Sequence, residues 1–110
     1  MGQATPFKPI ALVVEDDAIQ REYAVTLLEE SEMGVIQSDS AAAALRVLEK
    51  MGECVSLMFT DVNLAGTVDG LELARFAKAN FPNIHVIVTS GTPHRTARRR
   101  EVPGKAVARA

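Results

Sequence analysis

The sequence predicts an α/β domain built on a parallel sheet. Three observations carry this expectation. Apolar runs at 10–14, 55–60 and 84–89 lack polar alternation, as strands covered on both faces do. Helix-forming segments stand between them. The resulting order, β-α-β-α-β-α-β, suits strands joined by helical crossovers. With 110 residues the chain is long enough for one domain and one core, and too short for two.

The first strand is Ile10-Ala-Leu-Val-Val14, and it runs into Glu15-Asp16-Asp17. Residues 17–31 follow as a helix with Ile19, Tyr23, Leu27 and Leu28 on one stripe and Arg21, Glu22, Glu29 and Glu30 mostly off it. Asp16 or Asp17 can cap that helix. Gly34-Val-Ile-Gln-Ser38 is a weaker strand. Residues 41–51 are rich in alanine and leucine, capped by Ser40 and stopped by Gly52. The run Val55-Ser-Leu-Met-Phe-Thr60 is a strand that leads into Asp61. A helix over 70–80 carries Leu71, Leu73, Ala74, Phe76 and Ala77 and ends before Phe81-Pro82. Ile84-His-Val-Ile-Val-Thr89 is the last clear strand.

Residues 1–90 hold thirteen acids and six bases, whereas 91–110 hold six bases and one acid, Glu101. Thr92-Pro93 can start a helix, but His94 to Glu101 offers only Ala97 to a core. Arg95, Arg98, Arg99 and Arg100 stand without interleaved aromatics, so a solvated tail is expected and nucleic-acid binding is not. No stretch is apolar enough for a membrane span, and the N-terminus does not read as a signal peptide. The single cysteine, Cys54, excludes an internal disulfide and fits a cytoplasmic location. Its expected role is a small core residue. His85 and His94 have no partner at metal-ligand spacing and are read as structural.

Chemistry concentrates at the strand ends. Ligands of open parallel sheets bind beyond the carboxyl ends of the strands. Two strands end in acid, at Glu15-Asp16 and at Asp61. A third ends at Ser90-Gly91. Carboxylates gathered at one edge repel unless a cation sits among them. Hard oxygen donors suit Mg²⁺, which takes one or two carboxylates and a phosphate. An aspartate carboxylate can attack phosphorus to give an acyl phosphate, and a nearby hydroxyl can bind the phosphoryl oxygen. Singly, each feature reads as a helix cap or a turn; jointly, they point to a site.

Val13-Val-Glu-Asp-Asp17, Phe59-Thr-Asp-Val-Asn-Leu-Ala-Gly66, Asp69-Gly-Leu-Glu-Leu73 and Val86-Ile-Val-Thr-Ser-Gly91 occur in order. Together they resemble the receiver domains of bacterial two-component response regulators over about residues 8–91. The resemblance implies a flavodoxin-like, doubly wound parallel sheet. It implies that Asp61 accepts a phosphoryl group from a histidine kinase or phosphotransfer protein. It further implies Mg²⁺ held by Asp16, by Asp61, by the backbone carbonyl of Asn63 and, through water, by Glu15. Ser90 is the implied switch hydroxyl, favoured over Thr89 because Gly91 follows it. Asp17 is left to cap the helix.

The sequence departs from that pattern in two places. Ala65 stands where the family has a proline, and the loop to Asp69-Gly70 is one residue longer than the commonest form. After Ser90-Gly91 there is no room for a fifth strand ending in the family's lysine, followed by a fifth helix. Lys105 lies too near Ser90 in sequence to match that lysine. The expected strand order is therefore 2-1-3-4, with the fifth strand and helix missing or atypical, in one domain over 1–110 whose residues 92–110 form a basic tail. That would open the edge at 84–89 and uncover apolar surface beside the first helix, which invites a homodimer through the sheet edge. The expected function is a phosphorelay signalling module and not an enzyme. The alternatives are a receiver that is no longer phosphorylated and serves as an interaction module, or an aspartyl-phosphate phosphatase. The phosphatase would want a second acid where Asn63 stands.

Overall fold

The computed structural model describes residues 8–64, 66 and 68–89, together with the backbone of 107–109. The elements are β1 (Ile10–Val14), α1 (Ala18–Glu30), β2 (Gly34–Ser38), α2 (Ala41–Met51), β3 (Val55–Asp61), α3 (Gly70–Asn80), β4 (His85–Thr89) and β5 (Val107–Arg109). A short 3₁₀ turn over Gly52–Cys54 joins α2 to β3. The sheet order is β2-β1-β3-β4-β5. The first four strands are parallel, as expected.

The helices start where a side chain can satisfy their free N–H groups. The Asp17 carboxylate accepts from the N–H groups of Ile19 and Gln20, Ser40 Oγ from Ala43, and Asp69 from Glu72. The main core lies between the sheet and α2 and α3. Leu12, Leu48, Met58, Leu73 and Ile84 are its largest fully buried side chains. A smaller cluster on the opposite face joins Val13, Ala24 and Val25, with Leu28, Val35 and Phe59 packed against it.

Three expectations need correction. First, of the α1 stripe read from the sequence only Leu28 packs inward. Ile19 is 80% exposed, Tyr23 67% and Leu27 48%, whereas Ala24 and Val25 are buried. The helix turns its small residues inward together with Arg21, which tethers it to the sheet. The Arg21 guanidinium donates to the carbonyl of Glu15 at 2.9 Å and to Gln37 Oε1 at 3.3 Å. Second, Cys54 is exposed and not a core residue, because the 3₁₀ turn carries it outside the sheet. Third, β4 is not a fully open edge. β5 pairs with it antiparallel, with Ile87 opposite Arg109, Val88 opposite Ala108 and Thr89 opposite Val107. Three residues suffice for this because an antiparallel neighbour needs no crossover helix. No helix among the described residues is long and apolar enough to cross a membrane.

Candidate functional site

β1 and β3 run side by side and in the same direction, with Val14 opposite Thr60. Their carboxyl ends therefore bring Glu15 and Asp61 to one edge of the sheet. β4 adds Thr89, which is the register partner of Asp61. Asp16 begins the turn into α1. One carboxylate oxygen from each of Glu15, Asp16 and Asp61 can be chosen so that all three lie within 4.8 Å of one another. Glu15 is 8% exposed and Asp61 6%.

Burying carboxylates together raises their proton affinity. Burial pushes the Glu15 carboxyl up most. A hydrogen bond from the Asp17 N–H pulls it back, and the charges of Asp61 and Asp16 raise it again, to about 7. Asp61 is likewise raised, first by burial and then by the charge of Asp16, against a lowering hydrogen bond from the Asn63 N–H. That bond, to Asp61 Oδ1, measures 3.0 Å. Interaction with the Glu15 side chain lowers the Asp61 carboxyl a little, against the effect of burial.

The backbone around Asp61 leaves little slack. Thr60 is fully buried, and its hydroxyl donates to the Asp61 carbonyl at 3.1 Å. The Val62 N–H donates to the carbonyl of Thr89 at 2.8 Å. Gly70 opens α3 directly against this segment. Its N–H donates to the Val62 carbonyl at 3.1 Å, and a Cβ at this position would overlap the Asp61 carbonyl oxygen. Gly66, at φ +108°, turns the chain between them.

Glu15, Asp16 and Asp61 are thus brought together, and Thr89 lies beside them. Asn63 sits two residues beyond Asp61, holding its carboxylate through a backbone N–H. Asp17 is the helix cap. Ser90, His94 and the four arginines fall outside the described residues. The sequence reading missed two supports. Arg21 fixes the acidic turn from below, and Gly70 allows α3 to touch the acceptor strand. The Asp-Gly pair at 69–70 was a visible signal for the second, whereas nothing in the sequence marked the first.

The donor set fits a small, hard divalent cation. Neighbouring ligands of Mg²⁺ sit about 3 Å apart and opposite ones about 4.2 Å. Three carboxylate oxygens within 4.8 Å of one another therefore need only a small contraction.

Comparison with known proteins agrees with this geometry. The family model for the response regulator receiver domain matches residues 11–104. A response regulator receiver protein from Pseudomonas putida is 28% identical, with a TM-score of 0.66 over 84% of this chain and 77% of that one. A response regulator receiver domain protein from Methanospirillum hungatei is 25% identical, with a TM-score of 0.69 over 77% of this chain and 66% of that one. A receiver protein from Sinorhizobium medicae shares the fold at 24% identity, with a TM-score of 0.71 over 89% of this chain and 78% of that one. With that match and this sheet, the chain belongs to the receiver domains of two-component response regulators.

Proposed function

We propose that Asp61 accepts a phosphoryl group from a phosphohistidine donor, with Mg²⁺ held among Glu15, Asp16 and Asp61. The observation that carries this reading is the clustering of these three carboxylates at the strand ends. Asp61 supplies the attacking oxygen. An O–P bond forms as the N–P bond of the donor breaks, and the imidazole keeps the electron pair. When bound, Mg²⁺ neutralises charge on the carboxylates and on the incoming phosphoryl group. The Asn63 N–H holds one Asp61 oxygen, which leaves the other as the nucleophile. Glu15 must release its proton before the full acid set can hold the metal. The Asn63 carbonyl is assigned to the metal, and Ser90, or Thr89 in its place, to the phosphoryl oxygen.

The chain acts in this reading as a signalling module, with a sensor kinase or phosphotransfer protein upstream. A second reading, a receiver that works unphosphorylated, draws on the reversed β5, Val-Ala-Arg, which holds no lysine at its carboxyl end. Mg²⁺-dependent labelling with a small phosphodonor decides between them. Wild-type protein is expected to gain an acid-stable, hydroxylamine-sensitive adduct that Asp61→Asn lacks. Wild type that stays unlabelled with both small donors and a cognate kinase supports the interaction module instead.

A further inference from the structure

Arg21 grips the acid turn at both ends. Its Nη1 donates to the Glu15 carbonyl at 2.9 Å, and its own backbone N–H donates to the Asp17 carbonyl at 2.9 Å. The Asp17 N–H donates back to Glu15 Oε2 at 3.1 Å. Asp16 therefore stands between two residues whose carbonyls one arginine holds. The Glu15 N–H, for its part, extends the β1–β2 ladder by donating to the Ser38 carbonyl at 3.0 Å. The half-buried Arg21 is itself anchored, because its Nε donates to Gln37 Oε1 on β2 at 3.3 Å. Strand alternation places Gln37 for this contact: Val35, two residues earlier, packs on the α1 face of the sheet.

The hold matters because of what the turn carries. Two of the three clustered carboxylates, Glu15 and Asp16, belong to it, and the third is Asp61. Like charges gathered this closely push the turn away from β3. On the β3 side, Asp61 is kept in place by the Asn63 N–H and by the close approach of Gly70. On the β1 side the corresponding support is Arg21, which binds the peptide that joins Glu15 to Asp16. A ligand set held in shape before the cation arrives spares the cost of ordering it on binding. Groups that orient metal ligands without touching the metal typically change its affinity about 10- to 100-fold when removed. The guanidinium's charge acts in the opposite direction, since a cation bonded beside the acids repels Mg²⁺.

We propose that Arg21 is a positioning residue of the metal site: it raises Mg²⁺ affinity by fixing the peptide that joins Glu15 to Asp16, although its own charge opposes the metal. This rests on the reading of the acid cluster as the Mg²⁺ site. The rival is that Arg21 only pins α1 to the sheet. Position and charge differ in the sign of their effect on affinity. Position and helix packing differ in which substitutions share that effect.

Calorimetric Mg²⁺ titration of the unphosphorylated full chain at about pH 8, where Glu15 is ionised, tests it. Arg21→Met keeps the aliphatic stem but loses the donors and the charge, and is expected to weaken binding about tenfold. Arg21→Lys keeps the charge and can meet the Glu15 carbonyl, but lacks the planar fork that also spans to Gln37, so it is expected to recover part of that loss. Val25→Ala, at a buried position of α1 away from the turn, is expected to lower stability in urea and leave Mg²⁺ affinity unchanged. Circular dichroism checks that each variant is folded. If Arg21→Met does not fold, Gln37→Ala, at an exposed position, takes its place with an expected loss of about threefold. Binding by Arg21→Met, or by its replacement, that is as tight as wild type or tighter overturns the proposal. So does an Arg21→Lys that binds no better than Arg21→Met, or a Val25→Ala that weakens Mg²⁺ as much. Wild type that binds no Mg²⁺ overturns the reading of the acid cluster, and this inference with it.

Discussion

Titrating Glu15 gives the most direct test of the acid pocket. Its carboxyl has an ordinary value of 4.5 and stands at about 7 in the folded, metal-free protein. The folded protein thus keeps a proton that the unfolded chain has already lost. The associated stability is fully present below about pH 4.5 and falls as pH rises towards 7. A shift of that size corresponds to at most about 3.5 kcal/mol. Mg²⁺ reverses the trend by competing for the same oxygens. Below about pH 7 its apparent affinity should fall close to tenfold per pH unit, or about 1.4 kcal/mol, because a proton must leave first. Above that it should level off.

Urea unfolding with a chelator, between about pH 5 and 8, measures the first effect; calorimetric Mg²⁺ titration in two buffers of different ionisation heat counts the proton released. Glu15→Gln supplies the control, since it removes the titrating group and nearly keeps its size. The difference between wild type and this variant should decline across the window without metal. If the two curves run parallel from about pH 5 to 8, and Mg²⁺ binds without proton release at about pH 6, the account of the pocket is wrong.

Three substitutions probe its supports. Gly70→Ala should cost about 3 kcal/mol or more by urea unfolding, because the new methyl group overlaps the Asp61 carbonyl oxygen and the backbone on both sides must move. Asp17→Ala removes the acceptor for two N–H groups of α1 and should cost about 1 kcal/mol, read from the same melts at about pH 7. Met58→Ala, at a side chain with no exposure on β3, should cost about 2–5 kcal/mol while leaving the acid cluster in place, which Mg²⁺ titration would check.

The sequence exposed the parallel sheet because β1, β3 and β4 are dense in Val, Ile and Leu and too short for helices. It exposed the acidic cluster for a topological reason. In parallel strands every carboxyl end reaches the same edge, so acids at the ends of β1 and β3 must become neighbours. The face of α1 was not legible in this way. Its apolar residues point in several directions, and large exposed side chains outweigh the small Ala24 and Val25 that pack. Periodicity weights size, whereas close helix–sheet approach selects small residues. Gly70 is another contact of this kind, set by what lies across from it and not by its neighbours in sequence. β5 escaped because Val-Ala-Arg has no apolar run, and its strand character comes from pairing with β4.

The reversal of β5 changes how the far end of the chain must be read. A parallel fifth strand would deliver its last residue to the edge that holds Asp61. An antiparallel one delivers its first. Val107 stands opposite Thr89, which stands opposite Asp61, so the chain reaches this edge as it enters β5. Arg109 is opposite Ile87, two residues back, or roughly 7 Å along the strand. A search for a cation at the carboxyl end of the last strand therefore looks at the end that leads away from the acids. Arg109, the charged residue of β5, stands at the end of the strand that leads away from Asp61.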